Sequence, residues 1–214
     1  LPGVVAGVKE LVMVTPPGRD GTVNPYTLVA AGEAGVTEIY KVGGAQAVAA
    51  LTYGTETIQP VDKIVGPGNI YVTMAKKLCY GDVDIDMLAG PSEIFIIADA
   101  SAHPVYLAAD LLSQAEHDPL ARAILATPDR DLAARTAGEV AKQLEELPRR
   151  EIAAQSLRHR GAIILTADLE EAFDLANRFA PEHLELCLDQ PFQWLGRVRN
   201  AGAVFLGHYA PESL

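Results

Sequence analysis

The strongest constraint on the fold is an alternation of short apolar runs with segments of helical period along the whole sequence. The candidate strands are ELVMVTP (10–16), EIYKV (38–42), KIVGPG (63–68), EIFIIAD (93–99), RAILATP (122–128), AIILT (162–166), HLELCL (183–188) and AVFLG (203–207). The candidate helices lie between most of these runs, at 24–35, 44–54, 69–81, 103–117, 131–147, 169–181 and 191–202. Such alternation favours parallel sheets with helices on both faces, an α/β fold. We interpret the glycines at the helix ends as C′ residues: Gly35, Gly54, Gly81 and Gly202.

One segment breaks this rhythm and predicts the domain boundary. GDVDIDMLAGPS (81–92) carries three aspartates, two glycines and a proline, and has no helical period. We interpret it as the crossover between two incomplete Rossmann-like halves, residues 1–92 and 93–214. Segment 147–161, LPRREIAAQSLRHRG, is predicted to be a helical arm with a solvated basic face.

Charge and composition exclude several classes of protein. The formal net charge is −11 and the isoelectric point about 4.8, which disfavours nucleic-acid and anionic-membrane partners. No apolar stretch approaches the roughly 18 residues needed to span a bilayer. Cys79 and Cys187 belong to no CxxC pattern and are predicted to be reduced, packed thiols. The chain begins at Leu1 and ends directly after an apolar run, so we expect it to be a segment of a longer protein.

Two loops in the first half are candidate nucleotide sites. Ligands of open α/β sheets bind at the carboxyl ends of strands. KVGGAQA places Gln46 beside paired glycines after one such strand, and VGPGN places Asn69 after the next. Paired glycines let a backbone approach a phosphate. Neither loop is a GxGxxG fingerprint, and tight turns explain the glycines equally well.

The second half contains two residues that could form part of a metal site. In LLSQAEHDP (111–119), Gln114 and His117 are three residues apart and would project from one helical face. They are either two ligands of a metal or an ordinary helix end with a cation near its last carbonyl groups. Glutamine is an unusual zinc ligand, so the pattern alone leaves both readings open. Ser92, in AGPSEI, either faces a ligand or closes a turn.

A carboxylate and an imidazole are adjacent later in the second half. Glu182 and His183 follow Pro181 in FAPEHLELCL (179–188), at a predicted helix-to-strand transition. This combination can move protons and activate water near neutral pH, although the dipeptide is common. VFLGHYAPES (204–213) places His208 and Glu212 in a loop after another strand.

Taken together, six blocks resemble the histidinol dehydrogenase family over nearly all 214 residues. The blocks are VGGAQAVAALTYGTE, VDKIVGPGN, IDMLAGPSE, DLLSQAEHD, FAPEHLEL and GAVFLGHYAPES, in this order. The resemblance implies a cytoplasmic homodimer in histidine biosynthesis. Such an enzyme uses zinc and NAD to oxidise L-histidinol through the aldehyde to L-histidine.

The resemblance also implies roles for individual residues. Gln114 and His117 match zinc ligands of the family, while Glu182 and His183 match its acid–base pair. Gln46 and Asn69 match NAD-contacting positions. The positions that match substrate contacts are Ser92, Gln114, His117, His183 and Glu212.

The same resemblance predicts that this chain is inactive on its own. In the family an aspartate beyond the PES motif and a histidine of the partner subunit complete the zinc shell, and an N-terminal tyrosine contacts NAD. With two ligands the site would be open and weak. Two alternatives remain: a non-catalytic module that binds nucleotide weakly, and a related dehydrogenase of another amino alcohol.

Overall fold

The structure is a computed structural model that describes residues 2–36, 38–88 and 90–211. Glu212, a predicted substrate contact, lies outside the described residues. The chain divides into two compact units, unit 1 at residues 1–90 and unit 2 at residues 91–214. This boundary falls within the segment that the sequence predicts as a crossover.

Unit 1 is built from short parallel strands and the helices between them. Its strands are β1 (Val12–Val14), β2 (Glu38–Tyr40), β3 (Lys63–Ile64) and β4 (Asp84–Ile85). Its helices are α1 (Pro2–Val5), α2 (Pro25–Glu33), α3 (Gly44–Tyr53) and α4 (Ile70–Cys79). β1 pairs with β2 and β3 with β4, both in parallel. A core of buried residues from α3, α4, β3 and β4 joins these elements: Val48, Leu51, Ile58, Ile64, Cys79, Val83 and Ile85.

Strand β4 was not predicted, because its acidic residues resemble a linker. Val83 and Ile85 are buried, whereas the aspartates on either side of them are exposed. This two-residue alternation is typical of a strand with one face on a core. Part of the acidic segment therefore forms a strand that pairs with β3.

Unit 2 contains one five-stranded parallel sheet. Its strands are β5 (Glu93–Ala98), β6 (Arg122–Thr127), β7 (Ala162–Leu165), β8 (His183–Cys187) and β9 (Ala203–Leu206), in the spatial order β7-β6-β5-β8-β9. Its helices are α5 (Pro104–Ala115), α6 (Arg130–Leu144), α7 (Arg150–Arg160), α8 (Leu169–Phe179) and α9 (Pro191–Trp194). This is the order of a Rossmann-type sheet, with the first strand of the unit at its centre.

Helices cover both faces of this sheet, as predicted. Alternate residues of β5 point to opposite sides, so Ile94 and Ile96 pack with α5, α6 and α7. Phe95 and Ile97 pack with α8 and with Trp194. Every residue of β5 from Ile94 to Ala98 is buried. The α/β prediction is confirmed.

The predicted helix at 191–202 is much shorter in the structure. Helix α9 spans a single turn, a 3₁₀ turn follows at Leu195–Arg197, and the backbone is extended at Val198. Cys79 and Cys187 are both free and buried. Within the described part of the chain, no helix has the length and apolarity needed to cross a membrane.

Candidate active site

The first glycine-rich loop of unit 1 joins β2 to α3. Gly44 has a φ of 75°, which favours glycine, and Gly43 lies so close to Pro16 that a Cβ would be 2.8 Å from its ring. The exposed side chain of Gln46 folds back over Gly44, since a Cβ there would lie 2.9 Å from Gln46 Oε1. Gln46 thus lies at the start of α3, beside a stretch of backbone that carries no side chains at Gly43 and Gly44.

The second loop, Gly66 to Asn69, joins β3 to α4. Asn69 caps this helix, because its Oδ1 accepts hydrogen bonds from the backbone N–H groups of Tyr71 (3.1 Å) and Val72 (3.2 Å). The Asn69 side chain is exposed. Both predicted nucleotide contacts therefore lie at helix starts that follow the carboxyl ends of strands.

In unit 2 the predicted site residues lie at the amino edge of the sheet, where its parallel strands begin. Helix α5 connects the parallel strands β5 and β6, so it runs back along the sheet and ends at the amino edge. Ser92 directly precedes β5, and His183 begins β8, which pairs with β5 through His183 and Ile94. Ser92, Gln114, His117, Glu182 and His183 are thus brought to the amino edge, not to the carboxyl edge where such sheets usually bind ligands.

Gln114 and His117 occupy very different environments. Gln114 lies in the last turn of α5 and is 1% exposed, and its Oε1 has no hydrogen-bond partner among the described residues. Helix α5 ends at Ala115, and a hydrogen bond of 3.2 Å from the N–H of His117 to the carbonyl of Gln114 continues the turn. His117 is exposed, and its carbonyl accepts a hydrogen bond of 3.2 Å from Arg149 Nη2.

The residues before β8 are held by the start of β9. Helix α8 ends at Phe179, and the residue after it, Ala180, has a left-handed φ of 54°. The carbonyl groups of Pro181 and Glu182 accept hydrogen bonds from the N–H groups of Gly202 (3.0 Å) and Ala203 (2.8 Å). The Glu182 side chain is exposed and His183 is partly buried. These bonds fix the backbone that carries both side chains.

Gly202 is needed for this arrangement, although not as the helix stop predicted from the sequence. Its φ is not positive, and α9 ends well before it. A Cβ on Gly202 would lie 2.7 Å from the carbonyl oxygen of Glu182. Only glycine therefore permits this close approach of two backbones.

A pair of carboxyl groups lies behind the edge. Glu185 is two residues after His183 on the same face of β8 and is 1% exposed, and Asp110 is one turn before Gln114 on α5. Burial raises the pKa of Asp110 to about 6, against a side-chain hydrogen bond with Glu185 that lowers it. Burial thus favours the protonated form of Asp110, one turn before Gln114.

The donors present fit part of a zinc shell. An orphaned, buried amide oxygen is costly, so Gln114 Oε1 is suited to a ligand that approaches the helix end. The imidazole of His117 is a usual zinc donor. Among the described residues there is no group of three or more His, Cys, Asp and Glu that could hold a metal ion. These residues can therefore supply at most part of a shell.

The sequence reasoning missed the residues that support this site. Arg149 belongs to the segment predicted as a solvated basic face, yet it binds the carbonyl of His117. Arg122 donates to Glu93 at 3.1 Å beside Ser92, and its N–H donates to the carbonyl of Ser92 at 3.2 Å. No sequence motif marks these contacts, because they depend on the strand order.

Comparison with known proteins gives a consistent family. The protein-family model described as histidinol dehydrogenase matches residues 1–214. Proteins named histidinol dehydrogenase from Moorella thermoacetica and Gloeobacter violaceus are 65% and 62% identical to this chain over 214 residues. These matches cover 100% of this chain but 50% and 48% of the two relatives.

The fold agrees with a solved structure. The crystal structure of histidinol dehydrogenase from Elizabethkingia anophelis superposes with a TM-score of 0.93 at 45% identity. The superposition covers 99% of this chain and 49% of that chain. The chain therefore spans about half the length of the relatives that it matches.

Proposed function

Since the chain belongs to the histidinol dehydrogenase family, we propose that its full-length protein oxidises L-histidinol through L-histidinaldehyde to L-histidine. The observation that carries this proposal is the gathering of Ser92, Gln114, His117, Glu182 and His183 at one sheet edge. NAD, when bound, supplies the hydride acceptor for each of the two oxidations. The named relatives at 65% and 62% identity support the same reaction.

His183 and Glu182 divide the proton transfers between them. His183 takes the proton of the substrate hydroxyl as the hydride leaves, because an imidazole at the strand start can act as a base near neutral pH. Glu182 removes a proton from the water that adds to the aldehyde before the second oxidation. The exposure of Glu182 leaves its carboxylate accessible to that water. Ser92 and Glu212 are proposed to contact the substrate.

Zinc is proposed to bind at the end of α5. Gln114 Oε1 and a ring nitrogen of His117 would hold it, and zinc would supply a Lewis acid that orients the amino alcohol. Since two donors do not complete a zinc shell, we propose that this chain alone is inactive. The remaining ligands would then come from the rest of a cytoplasmic homodimer.

Nucleotide binding is proposed for unit 1. Gln46 and Asn69 lie at the starts of α3 and α4, where backbone N–H groups favour a pyrophosphate. Unit 1, residues 1–90, would therefore be the NAD-binding half, and unit 2 would carry the metal, the substrate and the acid–base pair.

The decisive experiment compares Glu182→Gln and His183→Asn in the full-length protein. We expect Glu182→Gln to release the aldehyde and to form about one NADH per histidinol, since hydration of the aldehyde fails. We expect His183→Asn to slow the first oxidation by ~10²–10⁴-fold. The matched control is His159→Asn at the exposed end of α7, which should leave the rate unchanged. Two NADH per histidinol at the wild-type rate in Glu182→Gln would refute the role of Glu182, and a first oxidation at the wild-type rate in His183→Asn would refute that of His183.

A related dehydrogenase of another amino alcohol is the competing function. Rates for histidinol and for amino alcohols without an imidazole separate the two, because only the former should be oxidised to the acid efficiently. Zinc content measured on this chain and on the full-length protein tests the metal proposal. Stoichiometric, tightly bound zinc in this chain alone would contradict the incomplete shell.

A further inference from the structure

Unit 1 contains a buried ammonium group that the proposed chemistry does not use. The Lys76 side chain, on α4, is 3% exposed, although the core of unit 1 is small. Its Nζ donates to the carboxylate of Asp86 and, at 3.0 Å, to the carbonyl of Gly66. A lysine is almost never fully buried unless it is paired, so this site requires an explanation.

Asp86 completes the same arrangement from the other side. Its Oδ2 accepts a hydrogen bond of 2.8 Å from the N–H of Gly66, and its Oδ1 accepts one of 2.7 Å from the N–H of Met87. Burial alone would raise the pKa of Asp86, but the N–H of Gly66 and the Lys76 ammonium lower it to about 2. The carboxylate is therefore charged at every physiological pH.

Both polar groups of Gly66 are thus held by one ion pair. The N–H binds Asp86 and the carbonyl binds Lys76, while the φ of 125° at Gly66 is a conformation that other residues rarely adopt. At the other end of the loop, Asn69 caps α4, and a Cβ on Gly68 would lie 2.5 Å from Val72. The loop from Gly66 to Asn69 is therefore fixed at both ends.

Stability alone is a poor reason for such a pair. Lys76 is buried while Asp86 is partly exposed, so desolvation of the ammonium group offsets much of the attraction between the two charges. What the pair supplies, and apolar side chains cannot, is two directed hydrogen bonds to the backbone of one residue, Gly66. A second ion pair in unit 1, Lys63 with Asp84 at 2.6 Å, is about half exposed and joins β3 to β4 instead of a loop.

We propose that Lys76 and Asp86 are positioning residues that hold the Gly66–Asn69 loop in the conformation that binds a dinucleotide. The inference rests on the proposed function, because it assigns NAD to the loop that carries Asn69. Neither side chain contacts the nucleotide in this proposal. They act through the backbone N–H and carbonyl of Gly66, and so through the direction in which the loop enters α4.

The experiment measures NAD⁺ affinity and loop protection in the full-length protein. The variants are Asp86→Asn, which removes one charge, and Lys76→Met with Asp86→Leu, which replaces the pair with apolar side chains. We expect both to bind NAD⁺ at least about tenfold more weakly. The double variant should keep its melting temperature, since it buries no unpaired charge. The matched control, Lys63→Met with Asp84→Leu, should bind NAD⁺ like the wild type.

Amide hydrogen exchange separates positioning from stability. In the double variant the Gly66 amide should lose its protection, while the amides of α3 and the core strands keep theirs. A double variant that is stable and binds NAD⁺ like the wild type would overturn the proposal. If the wild type itself does not bind NAD⁺, the cofactor assignment of unit 1 fails instead. The exchange measurement then still decides whether the pair fixes the loop.

Discussion

The close approach of β9 to the proposed acid–base pair can be tested by a single methyl group. Gly202→Ala would place a Cβ 2.7 Å from the carbonyl oxygen of Glu182 and 3.4 Å from its carbonyl carbon and Cα. All three are backbone atoms, so no flexible side chain can move aside. The added methyl must therefore displace either the start of β9 or the segment before β8.

The size of the effect follows from these distances. Inserting a methyl group into a packed site costs about 1–3 kcal/mol. The two hydrogen bonds of 3.0 Å and 2.8 Å across this contact would lengthen at the same time. For a domain of this size we expect a fall of roughly 3–10 °C in the melting temperature. Because Glu182 moves with its carbonyl, aldehyde hydration should slow by more than stability alone predicts.

The assay combines thermal unfolding of this chain with NADH formation by the full-length protein. Gly196→Ala is the matched control, since no atom lies within 4 Å of a Cβ there and its φ is not positive. It should change neither measurement. The argument would be refuted if Gly202→Ala had the melting temperature of the wild type and formed both NADH equivalents at the wild-type rate.

Three further predictions concern stability. The raised pKa of Asp110, caused first by burial, means that the folded state holds its proton more tightly than the unfolded state, so the free energy of unfolding should fall as pH rises from about 4 to 6. Allowing for partial solvent exposure, urea titrations across this range should show that the free energy of unfolding falls by about 1–2 kcal/mol. Asp110→Asn should abolish this fall. If Asp110→Asn leaves the pH dependence of the free energy of unfolding unchanged, the assignment is contradicted. Gly138→Ala adds a methyl to an open position within α6 and should raise the free energy of unfolding by about 0.5–1 kcal/mol in urea. Phe173→Ala removes a buried ring stacked 5.3 Å from Trp194 and should cost about 3–5 kcal/mol, whereas a loss below 1 would mean that the ring is not packed as described.

Most of the fold could be predicted from local pattern. Each observed strand except β4 lies within a predicted apolar run, because short runs rich in β-branched residues and bounded by turn residues are typical of strands. β4 was missed since three aspartates in a short segment are also typical of a linker, although they alternate with apolar residues. The helix at 191–202 was overpredicted because Trp194, Val198 and Ala201 have helical spacing and pack against one cluster, although the backbone leaves the α conformation after one turn.

The candidate site could be predicted only in part. Spacing placed Gln114 and His117 together, and adjacency did the same for Glu182 and His183. The burial of Gln114, the edge at which these residues meet and the support from Gly202 depend on strand order, which no local pattern encodes. The pairing of Lys76 with Asp86 is of the same kind, since the two residues belong to different elements.

The direction of the helices gives the two units opposite electrostatic poles. In unit 1 the loops with Gln46 and Asn69 meet the starts of α3 and α4, where aligned peptide dipoles leave a partial positive charge. In unit 2 the amino edge receives the ends of α5 and α8, where the same dipoles leave a partial negative charge. The first pole attracts anions and the second attracts cations, each by about 0.3–1 kcal/mol per helix end. The amino edge of a parallel sheet is thus already biased toward cations, such as the proposed metal ion and substrate ammonium group, before any charged side chain is added.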